Sequence, residues 1–349
     1  MNAPVTVRPL PSLAGATARA WDDYVVRHPQ GTFFHQAGWA RAVSRVWGHR
    51  CELLAAWQGG RLVGVLPLGE IDSLLFGHAV TSLPFAVYGG VLADGDDAAH
   101  ALVAAAEAWT RARGASHLEL RHLHGMQRPD WAQQDLYVTF RKPLLDDDEA
   151  NLLAIPRKQR AMVRKGVGHG LRADVDADAG RFFDLFADNV HRHGTPAMPQ
   201  RWFQALLEEF GSQAEVLTVV APDGTPVSSV LSFYFRDEVL PYYAGDATAA
   251  RDLAANDFKY WALMQRALRR GARVFDYGRS KQGTGPYAFK KNWGFSPTPL
   301  AYEFRLYEGQ ALPQHNPNNP KYQRVIETWR RLPRAVVNRL GPLIVRNLG

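Results

Sequence analysis

Between Phe275 and Gly294 the chain reads Phe-Asp-Tyr-Gly-Arg-Ser-Lys-Gln-Gly-Thr-Gly-Pro-Tyr-Ala-Phe-Lys-Lys-Asn-Trp-Gly. Two glycines flank Thr284, and Arg279, Lys281, Lys290 and Lys291 stand on either side of them. A glycine-rich turn bracketed by cations suits a loop that closes on phosphate. Lys290 could also neutralise the oxyanion or leaving hydroxyl of an ester under attack. The plainer alternative is a surface turn followed by a strand whose Phe289 and Trp293 enter the core. A second cationic group, Arg157, Lys158, Arg160, Arg164 and Lys165, lies between Pro156 and Gly166, which predicts a short helix opened by proline and closed by glycine. Arg157, Arg160 and Arg164 then share one face and could grip a diphosphate or an RNA backbone; a solvated helix face explains them equally well.

An amine nucleophile must lose a proton, and Asp94, Glu119 and Asp276 are the carboxylates that could take it. Glu119 and Asp276 also read as partners of Arg121 and Arg279 at strand ends. His117, His122 and His124, with His191 and His193, have no acidic or thiol ligand at motif spacing, so no metal site is expected and structural roles fit them better. The single cysteine, Cys51, excludes an intrachain disulfide and a cysteine-rich zinc site. No Gly-x-Ser-x-Gly, Walker or dinucleotide fingerprint occurs, which removes support for hydrolase, NTPase and dehydrogenase chemistry.

The elements that must carry these residues come in two copies. Trp39 to Gly48 followed by Glu52 matches Trp202 to Gly211 followed by Glu215. Two hairpins come next, Leu53–Trp57 with Leu62–Leu68, and Val216–Ala221 with Val227–Phe235. Each copy continues through a further strand into a helix, residues 98–113 stopped by Gly114 and residues 256–270 stopped by Gly271. A strand then follows, residues 116–121 in one copy and 274–279 in the other. Helix, hairpin, strand, helix, strand repeated twice predicts an α+β protein with a mixed sheet in each half. The acidic stretch Pro143–Glu149 reads as the junction and Pro313–Pro320 as a second linker, giving expected domains over 1–145 and 146–309 and a tail over 310–349. In that tail Tyr322–Arg331 and Arg334–Leu340 read as short helices broken at Pro333 and Gly341-Pro342.

At 349 residues, 46% hydrophobic and 21% charged, the chain can bury two ordinary cores. The formal charge of +7 is concentrated at the end: residues 310–349 hold seven Lys and Arg against one Glu. Such a tail could meet an anionic membrane or nucleic acid, or pack back on the body. With no apolar run long enough for a signal peptide or a membrane span, a cytoplasmic protein is expected, with its tail at the inner membrane face.

The element order resembles the GNAT acyltransferase fold, and its tandem repetition resembles the FemAB-like peptidyltransferases. Phe275–Ser280 with Gly283–Gly294 resembles the FemAB-like proteins of bacterial exopolysaccharide and PEP-CTERM (exosortase) loci; Ile155–Lys165 and Val87–Asp94 resemble the basic helix and the first-domain Gly-Pro strand of that family. The resemblance implies two tandem GNAT-like domains moving an acyl or aminoacyl group onto an amine of a cell-envelope, peptidoglycan or exopolysaccharide precursor. The implied donor is aminoacyl-tRNA or acyl-CoA, with no permanently bound cofactor. The implied acceptor is an anionic sugar or peptide, lipid-linked in one version. On this reading Lys290 and Asp94 are catalytic, while Arg157, Arg160, Arg164, Tyr243, Asn256, Asp276, Arg279, Ser280, Lys281, Phe289, Lys291 and Trp293 bind substrate. A CoA pyrophosphate needs bare backbone N–H groups at a helix start, and Arg251-Asp-Leu-Ala-Ala-Asn256 has alanines where glycines would be expected, which favours the tRNA donor. The alternatives are a CoA-dependent N-acyltransferase and a non-catalytic assembly protein of polysaccharide export.

Overall fold

A computed structural model describes residues 3–73, 76–125, 128–307, 309, 311–312 and 320–348. The chain folds into two units, residues 1–135, 299–314 and 346–349 in the first and residues 136–298 and 315–345 in the second. The first unit contains β1 (Val5–Pro9), β2 (Cys51–Gln58), β3 (Arg61–Ser73), β4 (Gly77–Thr81), β5 (Leu92–Ala93), β6 (His117–His122) and β7 (Ala132–Gln134), with helices α1 (Gly15–Arg27), α2 (Ala37–Trp47) and α3 (Asp96–Ala112). The second contains β8 (Tyr137–Pro143), β9 (Arg172–Asp176), β10 (Ala214–Val220), β11 (Pro226–Phe235), β12 (Glu238–Asp246), β13 (Val274–Asp276), β14 (Ser280–Lys281) and β15 (Pro297–Pro299). Its helices are α4 (Asp148–Ala154), α5 (Arg157–Gly168), α6 (Gly180–Arg192), α7 (Gln200–Phe210), α8 (Ala255–Arg269) and α9 (Gly285–Asn292). Strand β16 (Ala301–Leu306) then returns to the first unit, and α10 (Pro320–Arg331) and α11 (Arg334–Val345) belong to the second.

Each unit is one mixed sheet. The first runs β1-β2-β3-β4-β6-β16-β7 with β5 against β3, the second β14-β8-β13-β12-β11-β10-β9 with β15 against β8. In both, the strand after the hairpin pairs in parallel with the strand after the helix: β4 with β6, and β12 with β13. That parallel pair needs a crossover, which α3 and α8 supply. Both helices end where the sequence places a stop, at Gly114 (φ +68°) and Gly271 (φ +85°), a left-handed conformation that glycine adopts without strain. Buried faces then join helix to sheet, with Leu102 and Ala106 against Leu54, Leu66 and Leu118 in the first core and Trp261, Leu263 and Ala267 against Leu217, Val230 and Phe275 in the second. Each large apolar side chain so buried contributes about 1.5–3 kcal/mol.

Four expectations are corrected. The break between units falls at 135/136 rather than 145/146, because β8 pairs with β13 and β14. Residues 301–306 join the first sheet, not the second domain, by pairing with β6 and β7. The segment after Gly283 is a helix, α9, not a strand: Pro286 sits in its first turn, where a missing N–H costs nothing, and Lys290 and Lys291 sit in its last turn, where cations suit the dipole. Helix α11 runs on through Gly341-Pro342 to Val345, and Gly341 is seated against the backbone of Ala197, where a side chain would collide. The tail helices pack on the second unit: Nε2 of His191 meets the Trp329 carbonyl at 3.2 Å, and Val337, Gly341 and Val345 form the buried side of α11. Positions 313–319 of the expected linker lie outside the described residues.

Candidate functional site

In the second unit β12 is nine residues long, yet its parallel pairing with β13 covers only Glu238 and Val239. On its other side β12 stays paired with β11 as far as Asp246, with a register shift that leaves Tyr242 as the extra residue. A bulge bends the strand that carries it. The consequence is a parting of β12 from β13 beyond Val239, on the edge where backbone N–H and C=O groups would otherwise be paired. Tyr243 follows the bulge; its hydroxyl accepts from Nε1 of Trp202 at 3.2 Å, and its ring meets Phe203 edge-on at 5.2 Å. Burial pushes the phenol well above its ordinary pKa, and Arg279 lies near enough to oppose that rise.

Helix α8 begins beside this strand. No side chain caps it, so the first backbone N–H groups at its start have no side-chain acceptor. Ala254 at its start takes φ +55°, the left-handed conformation usually given to glycine, and Ala254 and Ala255 are both buried. Their methyl groups therefore lie in the protein interior and the turn adopts the glycine-like conformation without glycine, so, against expectation, these alanines do not weigh against a pyrophosphate. Asn256 is half-buried in the first helical turn. Asp257 is held inward by Nε1 of Trp293 at 2.9 Å and Nε2 of Gln159 at 3.2 Å, and burial raises its pKa.

The loop after β13 is clamped from α9. Nζ of Lys290 donates to the carbonyls of Tyr277 at 2.7 Å, Gly278 at 3.1 Å and Arg279 at 3.2 Å. Burial pushes this lysine down to about 7, with Asp276 opposing and Arg279 adding to the fall. All three ammonium hydrogens thus have backbone acceptors, and Lys290 shapes the loop that presents Arg279. The Arg279 guanidinium lies 4.4 Å from the centre of the Tyr137 ring. Asp276 is fully buried; it accepts from Arg141 at 3.1 Å, from the Gly278 N–H at 2.7 Å and from Thr139 at 3.3 Å. Arg141 also pairs with Glu238. The expected Asp276–Arg279 pairing is replaced by Asp276–Arg141, a contact no local signal could reveal because Arg141 lies 135 residues away. Ser280 and Tyr277 are also buried, and neither hydroxyl has a hydrogen-bond partner among the described residues.

The predicted residues divide accordingly. Tyr243, Asn256, Arg279 and Lys281 are half-buried, and Lys291 is exposed. Trp293 is fully buried and serves the scaffold, against the expectation that it touches substrate, while half-buried Phe289 packs against the same core. Helix α5 forms but is not closed by Gly166: it runs on to Gly168, with Gln159, Val163 and Gly166 inward and Arg157, Lys158, Arg164 and Lys165 outward. Gly166 is seated against Phe258 and the Ala254 carbonyl, at the start of α8, while half-buried Arg160 donates to the Leu153 carbonyl at 3.3 Å.

The first unit treats the same region differently. β4 pairs with β6 from Ala79 to Thr81, and the chain that follows, residues 82–91, is buried throughout. It supplies the partners β6 needs: the Ser82 N–H reaches the Glu119 carbonyl at 2.9 Å and the Gly90 N–H the Arg121 carbonyl at 3.0 Å. Arg121 pairs with Glu119 at 3.0 Å, as the sequence suggests, and donates to the Ala86 carbonyl at 2.8 Å. A methyl at Gly90 would run into the His122 ring. Of the expected strand at 87–94 only Leu92–Ala93 forms. Asp94 is engaged by Arg61 and by the Tyr24 hydroxyl at 2.9 Å, and so anchors β3 rather than standing ready as a base. Cys51 is buried enough to push its thiol up to about 12, out of nucleophilic range.

Residues 154–291 match the model of the acetyltransferase (GNAT) domain family. Curated protein sequences give no match. Among solved structures the chain is similar to FemX, with 16% identity, 84% of this chain and 97% of that one covered, and a TM-score of 0.67. It is also similar to a tandem GNAT protein from the clavulanic acid biosynthesis pathway, with 16% identity, 88% and 100% covered, and a TM-score of 0.56. A third similar structure is the C-terminal domain of a putative lysylphosphatidylglycerol synthetase from Agrobacterium fabrum, with 16% identity, 82% and 91% covered, and a TM-score of 0.56. Two mixed sheets with a parted parallel pair in the second, and agreement over nearly the whole of these structures, make this chain a tandem GNAT fold, the matched residues 154–291 lying in its second copy.

Proposed function

We propose that the protein is an acyl- or aminoacyltransferase that holds a phosphate-bearing donor where β12 parts from β13 and passes its acyl group to an amine. The observation that carries this reading is the uncapped start of α8 beside the unpaired edge of β12. Backbone amides there can bind a pyrophosphate, and the strand edge can hold a pantetheine-like amide chain. Arg279 and Lys281, on the loop fixed by Lys290, would supply charge to the donor phosphates or to the oxyanion. In the reaction the amine nitrogen attacks the acyl carbonyl, the C–N bond forms, the carrier leaves with the electrons of its C–S or C–O bond, and the ammonium proton passes to water. Close positioning of the two reactants supplies most of the rate.

Two donors fit, each on its own observation. The α8 start favours acyl-CoA. The exposed cations of α5, seated against that start, favour the backbone of an aminoacyl-tRNA. The acceptor we propose is an anionic sugar or peptide of a cell-envelope or exopolysaccharide precursor. Contact with a lipid-linked form of it would come through α11, whose Val336, Leu340 and Leu343 are exposed on one face with Arg339. Among the described residues no helix is long and apolar enough to cross a membrane. Calorimetry with acetyl-CoA and, separately, with a charged tRNA tests the reading. Binding of either one, weakened by Arg279→Ala, supports it; absence of both overturns it.

A further inference from the structure

The first unit holds a groove of about 480 Å³ between edge strand β1 and helix α1, away from the region equivalent to the donor site. That size falls within the range of small-molecule sites. Its origin lies in the repeat. Helices α1 and α6 are both 13 residues long, both begin at a glycine, and each follows the edge strand of its sheet. Aligned start to start, Ala16, Thr17 and Ala20 of α1 stand where α6 has Arg181, Phe182 and Leu185. In the second unit those three fill the space: Phe182 and Leu185 are buried, and Arg181 is paired with Asp174 and Asp176 of β9. In the first unit the small residues leave the space open, lined by apolar Leu10, Trp21 and Leu62.

The charge differs as well. Strand β9 carries two aspartates that answer Arg181, whereas β1 carries Arg8 and no acid. Arg8 lies 4.9 Å over the ring of Trp57, a wall of the groove, and has no acidic partner among the described residues. The indole N–H of Trp57 is buried without a hydrogen-bond acceptor among the described residues. An apolar groove with an unanswered cation in its lining is complementary to a molecule that is apolar along its length and anionic at one end.

We propose that this groove binds an anionic amphiphile, with an aliphatic chain along Leu10, Leu62 and the alanines of α1 and a carboxylate or phosphate head at Arg8. The inference is independent of the donor site, since it uses no residue of the second unit. The test is calorimetric titration of the full chain with decanoate, decyl phosphate and decanol, each below its micelle-forming concentration, alongside indole N–H spectra assigned with Trp57→Phe. The expected result is one site for the two anions, a shift of the Trp57 indole resonance, and affinity at least tenfold weaker in both Arg8→Glu and Ala20→Leu. Thermal unfolding should be unchanged in both, because both positions are exposed. Tighter binding of decyl phosphate assigns a phosphate head, and tighter decanoate a carboxylate. Decanol binding as tightly as decanoate overturns the anionic head, and affinity unchanged in Ala20→Leu overturns the groove.

Discussion

The two copies of the fold solve one structural problem in opposite ways. In both, a parallel strand pair opens after a few residues and leaves backbone polar groups that need partners. The first copy closes the opening with its own residues 82–91, which bring Arg121, Glu119 and a pair of glycines into an internally paired plug. The second leaves β12 without a β13 partner beyond Val239, though still paired with β11, and sets the start of α8 and a cation-bearing loop beside it. Helix α3 opens on Asp96-Asp97, which would repel a phosphate, while the acid in the first turn of α8, Asp257, is buried and bonded to Trp293 and Gln159, with Asn256 before it. The duplicated fold therefore treats one region in two ways: the first copy fills it with its own chain, and the second leaves one edge of β12 without a strand partner.

The largest expected effect lies in the plug. Arg121→Ala strips the partner from Glu119 and from the Ala86 carbonyl, and should destabilise the protein by about 3–5 kcal/mol in denaturant unfolding. Unchanged stability would show that residues 82–91 close nothing.

Next comes the loop of the second copy. Arg279→Ala and Lys290→Ala should each lower kcat/KM about a hundredfold, on the order of 2.7 kcal/mol, with substrate-free unfolding shifted less for Arg279 than for clamped Lys290. Full transfer rates in either variant would move the site elsewhere.

A smaller, graded effect follows from the titration of Lys290. As pH rises through about 7 the ammonium that holds the 277–279 carbonyls loses its proton, so the transfer rate should fall on the alkaline side. Lys290→Arg should remove that inflection, and an unchanged profile in the variant would refute the assignment. For stability the sign is opposite. The unfolded chain binds this proton up to about pH 10.5, so the destabilisation from burying the ammonium is complete below 7 and fades as pH climbs toward 10.5.

Asn256→Asp makes the start of α8 resemble that of α3 and should weaken acetyl-CoA binding about tenfold, read by calorimetry, the range expected for one misplaced charge at a helix terminus. The smallest effect belongs to the tail: Leu340→Glu with Leu343→Glu should reduce flotation with anionic vesicles several-fold while leaving transfer to a soluble amine unchanged, and equal flotation would remove α11 from any membrane contact.

Much of the scaffold was legible in the sequence because its signals are local. The hairpin turns, the stop glycines at 114 and 271 and the apolar faces of α2, α3, α7 and α8 need only neighbouring residues, and the repeat made each copy a check on the other. The cationic helix α5 was legible for the same reason. Helix α9 was missed because Gly-Thr-Gly-Pro reads as a turn in either case, and only the packing of Phe289 and Trp293 on the core selects the helix. The departures of β8 into the second sheet and β16 into the first could not be read at all, since strand pairing is a choice among distant edges.

What the sequence determined by itself is the kind of fold and the chemical types available: two mixed α+β copies, a cation-rich glycine turn and a basic tail. What the tertiary structure decided is which of those groups are free to act. Asp94 and Asp276 are equivalent as letters, yet one is engaged by Arg61 and Tyr24 and the other is buried on Arg141. Ala254 looks unsuited to a phosphate turn until its φ and burial are known. Periodicity and turn chemistry act over a few residues and survive in a one-dimensional string. Partners, burial and the parting of two strands depend on residues brought together from far along the chain, and folding alone selects them.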